Sequence, residues 1–381
     1  MYKRRNPRKL RLLSLVLSGS LMAGTVFSLG QMPSAALPVL ERLTAASLVT
    51  SEPHRALMLL KQQLRPPQSE AVSVPVPVPQ AETPEEVIVP VKPPLPPPQP
   101  EPRPRPAPMI PEEYRGTITE ETMSGHARNR IIPWKSGLIR NDSKFSDEEV
   151  TQILAEPDSL SLPAEGPQVL IYHTHATESF EPCDSAVYDT RHTWRSTDNE
   201  NNIVAVGDII AEQLERHGIS VLHDTTQHDY PSYNGSYERS VKTMEKYLKQ
   251  YPSIAVTLDI HRDAIQQGNT LIKPVAAING KKAAQLMIIA GCDDGSMNMP
   301  QWRHNLRFAA GIQNEMESLY PGLTRPVFFC YRRYNMHMTT GSLLIEFGSH
   351  GNTLEEVQYT GQLAGDAIGQ YLARHISSEG A

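Results

Sequence analysis

Proline decides how much of this chain can fold. The sequence has 381 residues and 33 prolines, and the prolines cluster before residue 112. Their main run is "VPVPVPQAETPEEVIVPVKPPLPPPQPEPRPRPAPMIP". Each proline removes a backbone donor and fixes φ, so this stretch can feed neither a helix nor a sheet ladder. It is expected to run as an extended, semi-rigid spacer at about 3.1 Å per residue, a reach on the order of 100 Å. A packed core has to come from residues beyond the spacer, and ordinary globular composition begins at about Ile110.

The start of the chain reads as membrane-directed. Residues 1–11 carry six basic side chains, and no charged residue then occurs until Glu41. The apolar stretch over 12–30 is near the ~17–20 residues that cross a hydrocarbon core. Its positive flank predicts a cytoplasmic tail (1–11) with the remainder exported. "PSAALP" also offers a cleavage site, so a signal peptide is the alternative to an uncleaved single-pass anchor. The length of the apolar stretch and the tether behind it favour the anchor. Residues 31–110 are then a juxtamembrane amphipathic segment and the linker, and 111–381 the folded domain, with its core over 165–381.

A net charge of -6, with no basic stretch beyond the N-terminus, excludes a nucleic-acid binder. Cys183, Cys292 and Cys330 are odd in number and widely spaced, which suits neither a zinc ribbon nor a redox pair. They are expected to be buried and chemically silent. One bridge in an oxidising compartment is the alternative.

Beyond Ile110, strand and helix patterns alternate. "SDEEVTQILAE" carries a capping box, Ser146 with Glu149. "QVLIYHT", "ISVLHD", "SIAVTLDIH", "PVFFCYR" and "GSLLIEFG" read as strands. "NNIVAVGDIIAEQLERHG", "SYERSVKTMEKYLKQYP", "WRHNLRFAAGIQNEMESLYPG" and "TLEEVQYTGQLAGDAIGQYLARHI" read as helices. "KPVAAINGKKAAQLMIIAG" is a hairpin turning on Asn279-Gly280. This order predicts an α/β fold with a mixed, mostly parallel sheet flanked by helices and one antiparallel excursion.

Open α/β sheets bind ligands beyond the carboxyl ends of their strands. Three strands end in residues that hold metals or move protons: "HTHATE", "DIHRDA" and "LIEFGS". His175 and Glu178 are three apart, so a helical turn after the strand sets both side chains on one side. With His261 from a distant strand they make three ligands, which leaves a zinc ion an open fourth position, as in hydrolytic sites. Glu346 is then the general base for the attacking water. His173 falls one residue too early for that face; it is a supporting group behind the ligands or, alternatively, a ligand itself. The loop "LHDTTQHDYPSYNGSYERS" offers Asp229, Tyr233 and Arg239 as walls of a substrate groove, and Arg262 beside His261 is grouped with them. The other reading of that loop is an Asn-Gly turn before a helix capped by Ser236. No G-x-S-x-G elbow, cysteine signature or glycine-rich phosphate loop competes.

At "LIYHTHATESF", "HDTTQHDYPSYNGSYERS", "DIHRDA" and "GSLLIEFGSHGNTLEEV" the chain resembles the stage II sporulation protein P family, from about Pro167 to the C-terminus. The resemblance implies a zinc amidase or carboxypeptidase-like (phosphorylase/hydrolase-like) domain carrying one Zn2+. It implies an N-acetylmuramoyl-L-alanine amidase acting on peptidoglycan, with endopeptidase activity on stem cross-links, in forespore engulfment. It also implies stage II sporulation proteins D and M as partners and the sporulation septum as location. Related amidases take their ligand glutamate from the start of the first helix, here Glu200. Zinc carboxypeptidases use H-x-x-E, here His175 and Glu178; the choice falls on Glu178 because it stands in the signature segment. A catalytically inactive wall-binding scaffold of the same fold is the competing class, and it has no reason to keep His175, Glu178, His261 and Glu346 together.

Overall fold

The computed structural model describes residues 109–125 and 130–377, and after a 3-10 turn (Glu112–Tyr114) it shows three strands that the sequence patterns did not announce. These are β1 (Arg115–Glu121), β2 (Ile131–Trp134) and β3 (Gly137–Asp142). Pro133 lies in β2, which is an edge strand, the place where a missing donor costs least. The tail, anchor and spacer expected over residues 1–108 lie outside the described residues. Among the described residues no helix is long and apolar enough to cross a membrane.

Helix α1 (Asp147–Ala155) starts on the expected capping box, with both Ser146 and Glu149 side chains engaged. Next come β4 (Val169–Tyr172), β5 (Val187–Asp189), α2 (Val204–Arg216), β6 (Val221–His223), α3 (Ser236–Gln250) and β7 (Val256–Asp263). Gly218 closes α2 at φ 79°, as its position in the sequence predicts. Helix α3 departs from expectation, because Gly235 at φ 83° is its cap and Ser236 is its first residue. The Ser236 hydroxyl meets His175 instead of capping the helix. The chain continues through β8 (Gln266–Gln267), β9 (Thr270–Ile278), β10 (Lys281–Ala284), β11 (Leu286–Gly291), α4 (Trp302–Leu319), β12 (Val327–Cys330), β13 (Gly341–Ser349) and α5 (Leu354–Ala373).

Eight strands form the main sheet in the order β2-β3-β12-β11-β13-β7-β4-β6. Most neighbours are parallel, but two pairs run antiparallel, β2 with β3 and β11 with β13. The expected hairpin exists, with Asn279 and Gly280 both left-handed at φ 50° and 77°. Its strands belong to a second sheet, β10-β9-β1-β5 with β8 beside β9, rather than to the main one.

One apolar core runs across the main sheet and includes Ile132, Ile139 and Val150, so it reaches back well before residue 165. Helices α2 and α5 share it through Val206, Ile210, Ala364 and Ile368. They come so close that a Cβ on Gly365 would lie 2.8 Å from that of Gln213. Cys292 and Cys330 are buried and Cys183 is only half-buried; all three are free thiols. The positioning that matters for function is in the middle of the sheet. Strands β4, β7 and β13 are consecutive neighbours, with Tyr172 opposite Asp259 and His261 opposite Glu346. Their carboxyl ends therefore open at one place.

Candidate metal centre

Past Tyr172 the chain leaves the sheet and turns, and the Glu178 N–H donates to the His175 carbonyl at 3.1 Å. That turn brings the two side chains to one side: His175 Nδ1 lies 3.6 Å from Glu178 Oε1. The other carboxylate oxygen, Oε2, lies 3.5 Å from His261 Nδ1 at the end of β7. One ligand atom from each of His175, Glu178 and His261 lies within 4.8 Å of the others, and all three residues are buried. A four-coordinate zinc with bonds of about 2.1 Å sets its ligand atoms about 3.4 Å apart. The two separations, one to each carboxylate oxygen, are close to that spacing and leave room for an ion between the groups. Two imidazoles and one carboxylate are also the donor set of a hydrolytic zinc site. Glu200, the alternative carboxylate, lies exposed in a short 3-10 turn and is not in the cluster.

The supports behind the ligands fix their faces. Asp259 Oδ1 lies 2.8 Å from His261 Nε2, an ion-pair approach whose angle falls short of a hydrogen bond. The same carboxylate accepts from the Thr174 N–H at 2.8 Å and the Thr174 hydroxyl at 2.7 Å. On the other ring, His175 Nε2 meets the Ser236 hydroxyl at 3.0 Å. Tyr233 stacks on that imidazole with centroids 4.4 Å apart, and Tyr237 meets it edge-on at 5.5 Å.

Electrostatics sort the three candidate ligands. Burial, then neighbouring His261, lowers the His175 pKa to about 4, so its ring is a neutral donor at pH 7. Burial opposes ionisation of Glu178, but His261 and Arg262 outweigh it and hold the carboxyl below its ordinary range. Burial also disfavours a charged His261, yet Asp259 and Glu178 raise its pKa well above the ordinary value. Glu346 is pushed up to about 8, by burial first and then by Asp263. Its Oε2 atom is buried with no hydrogen-bond partner.

A model of the stage II sporulation protein P family matches residues 112–369. The chain belongs to that family. It is similar to the stage II sporulation protein P of Bacillus subtilis (strain 168), at 30% identity over 216 residues, 53% of this chain and 50% of that protein. The chain thus spans about half the length of the curated relative it matches. Among solved structures it is similar to the CwlD amidase of Clostridioides difficile in complex with the GerS lipoprotein. That likeness has a TM-score of 0.33 and 13% identity, and covers 54% of this chain and 99% of that one. An N-acetylmuramoyl-L-alanine amidase of Nostoc punctiforme matches at TM-score 0.32 and 12% identity, over 55% of this chain and 98% of that one. A metallo-carboxypeptidase of Burkholderia cenocepacia matches at TM-score 0.30 and 10% identity, over 57% and 59%. Scores this low decide neither fold nor chemistry.

Within the family's span the remaining expected residues divide. Tyr233 is 55% exposed and stands at the mouth of the cluster. Asp229 is buried and spent on the ligand turn, accepting from the Thr177 hydroxyl at 2.6 Å and from Arg195 at 2.8 Å. Arg262 donates its backbone N–H to Glu178 Oε2 at 3.0 Å, while its side chain holds the carbonyls of Ser179 and Trp194. Arg239 donates to the carbonyls of His228, Ser232 and Asn234, so it clips its own loop and is not brought to the cluster. His173 is fully buried, its Nδ1 donating to the Ile260 carbonyl at 2.9 Å. Its Nε2 shares a 2.8 Å hydrogen bond with His223 Nε2, and His173 is not in the cluster.

Three residues at the cluster were given no role there from the sequence, although Asp259 stands in the "DIHRDA" strand end and Ser236 was read as a helix cap. Asp259 carried a signal, since i and i+2 on a strand share a face, which points it the same way as His261. Ser236 and Arg195 carried none, because each reaches the site from a loop or helix end distant in sequence.

Proposed function

We propose that the chain is a zinc-dependent peptidoglycan hydrolase of sporulation, and specifically an N-acetylmuramoyl-L-alanine amidase. The observation that carries this reading is the convergence of His175, Glu178 and His261, with Glu346 in register beside His261. Family membership supports the sporulation setting, and the motif resemblance supports the amide bond between the lactyl group and L-alanine. Zinc held by His175, Glu178 and His261 supplies a Lewis acid and an activated water at neutral pH. Glu346 takes the proton from the attacking water and returns it to the leaving nitrogen. A raised carboxyl pKa suits both transfers, and the unpartnered Oε2 is the atom available for them. Asp259 orients His261 and keeps it basic. On this reading the domain works outside the cytoplasmic membrane, tethered by residues 1–110, beside stage II sporulation proteins D and M. Cleavage of stem cross-links belongs to the same reading through the resemblance alone.

Purified cell walls digested with the protein should release new L-alanine amines and no new reducing sugar ends, and a chelator should stop the release. Mass spectrometry of the muropeptides reads both; reducing ends would put the cut in the glycan and reject the amidase. Glu346→Gln should keep zinc and lose hydrolysis, whereas His261→Ala should lose both. Equal zinc loss in the two variants would remove the role given to Glu346.

A further inference from the structure

Arg195 forms a fixed arm over the metal cluster. Its backbone is bridged to that of Glu178. Two hydrogen bonds flank the bridge, Ser179 N–H to the Trp194 carbonyl at 3.0 Å and Ser196 N–H to the Thr177 carbonyl at 2.8 Å. Buried Asp229 takes one end of the guanidinium, Nη1, at 2.8 Å. Asp229 is itself held by the Thr177 N–H at 3.2 Å and by the Thr177 hydroxyl. The face of the guanidinium lies over Tyr233, 5.2 Å from the ring centroid. The other end, Nη2, lies 3.7 Å from Glu178 Oε1, too far for a hydrogen bond and on the side that faces His175.

The neighbouring cations are held away from solvent. Arg262 is buried and gives its side-chain donors to the carbonyls of Ser179 and Trp194. Arg325 is buried too, with Nη1 paired to Asp263 at 2.9 Å and its Nε and Nη2 enclosed without hydrogen-bond partners. Glu178 needs no further countercharge, since His261 and the Arg262 N–H already face its Oε2. Arg195 has a side chain 35% exposed, so it meets the cluster and solvent together. A preset donor that makes an ion-pair approach but no hydrogen bond in the resting protein, at a place substrate can enter, is what charge developing in a transition state requires.

Resting on the hydrolase reading, we propose that Arg195 is a catalytic residue whose Nη2 donates to the scissile carbonyl oxygen as that oxygen becomes negative. Water oxygen bonds to the lactyl carbonyl carbon while Glu346 takes its proton. The carbonyl oxygen carries the negative charge against Arg195. The C–N bond then breaks as Glu346 returns its proton to nitrogen, the new carboxylic acid gives its own proton to the freed amine, and a carboxylate and the L-alanine ammonium result. Arg195 transfers no proton; it contributes a fixed positive charge and an N–H.

The test compares native protein, Arg195→Ala and Arg195→Lys, with folding checked by circular dichroism. Arg195→Ala should lower kcat/KM by about 10²–10³-fold, the size of losing one oxyanion donor, with zinc content unchanged. Its affinity for a phosphinate mimic of the tetrahedral state should fall by a similar factor. Binding of intact muramyl peptide, measured by calorimetry in the Glu346→Gln background, should stay close to native. Added guanidinium should restore part of the Arg195→Ala rate, and Arg195→Lys should fall between. Zinc lost in step with activity would make Arg195 a countercharge for Glu178 and overturn the proposal. Unchanged mimic affinity, or no rescue by guanidinium, would overturn it too. Native protein that releases no L-alanine amine would instead overturn the hydrolase reading, and this role with it.

Discussion

On the proposed zinc reading, binding the ion to this cluster has to expel protons, and the surroundings of each candidate ligand specify how many. His175 is neutral well below pH 7, because burial and then His261 depress it to about 4. Glu178 is already ionised, held so by His261 and Arg262 against the effect of burial. His261 is the exception, since Asp259 and Glu178 outweigh burial and keep it protonated above the ordinary histidine range. Zinc needs the imidazole lone pair, so one proton leaves His261 for each ion bound. Glu346 contributes a second wherever the arriving dication overrides the burial that raised its carboxyl to about 8. Glu346→Gln removes that second source. In this variant, zinc affinity should rise about tenfold per pH unit between about pH 5 and 7, or about 1.4 kcal/mol per unit. The sign comes from competition: affinity falls as pH falls, and it levels off as pH rises past the raised His261 pKa. Titration calorimetry at about pH 6, below the ~7 at which zinc-bound water ionises, in two buffers of different ionisation enthalpy, counts the protons directly. The variant should release about one per zinc and the native protein between one and two. Two protons from the variant would mean that His175 is charged in the free protein. None would mean that His261 is not, and either result refutes this electrostatic account.

Three further outcomes test the surroundings of the cluster. Asp259→Asn should weaken zinc binding by about 10–100-fold, the usual cost of losing a carboxylate behind a ligand histidine, as read by competition with a chelator. Lys273→Met should cost about 3 kcal/mol in urea unfolding, because it strips the buried ammonium from Asp184 at 2.6 Å and from buried Glu356 at 2.7 Å. Lys282→Met, at a half-exposed site of the same network, should cost less than about 1 kcal/mol, and equal losses would deny the difference in burial. Gly207→Ala places a Cβ 2.5 Å from His223 Nε2 and 2.7 Å from His173 Nε2. Overpacking of about 1–3 kcal/mol should then outweigh the ~1 kcal/mol that alanine adds to a helix interior. A stabilised variant would show that the histidine pair yields freely.

The clustered residues were legible as candidates in the sequence because their signals are local. Apolar runs ending in "HTHATE" and "DIHRDA" put His175, Glu178 and His261 at strand ends, and "LIEFGS" did the same for Glu346. The Ser146 capping box, the Gly218 stop and the Asn279-Gly280 turn are likewise matters of a few adjacent residues. Harder to read were β1, β2 and β3, because RGTITEE and GLIRND hold few apolar side chains to mark their buried positions and Pro133 interrupts IIPW. Arg239 looked like a groove residue because its charge is visible in sequence, whereas the carbonyls that absorb it are not.

The amino-acid sequence by itself determined which residues could serve chemistry and which end of each strand would carry them, since side-chain type and strand period are properties of neighbours along the chain. Tertiary structure decided that β4, β7 and β13 are adjacent, that Glu178 rather than Glu200 reaches the histidines, and that Ser236, Asp259 and Arg195 stand around them. The physical reason is one of range. Hydrophobic period and turn chemistry act over a few residues. A metal-sized cluster needs atoms from remote segments within a few ångströms, and only the order of strands and the packing of the loops between them set that distance.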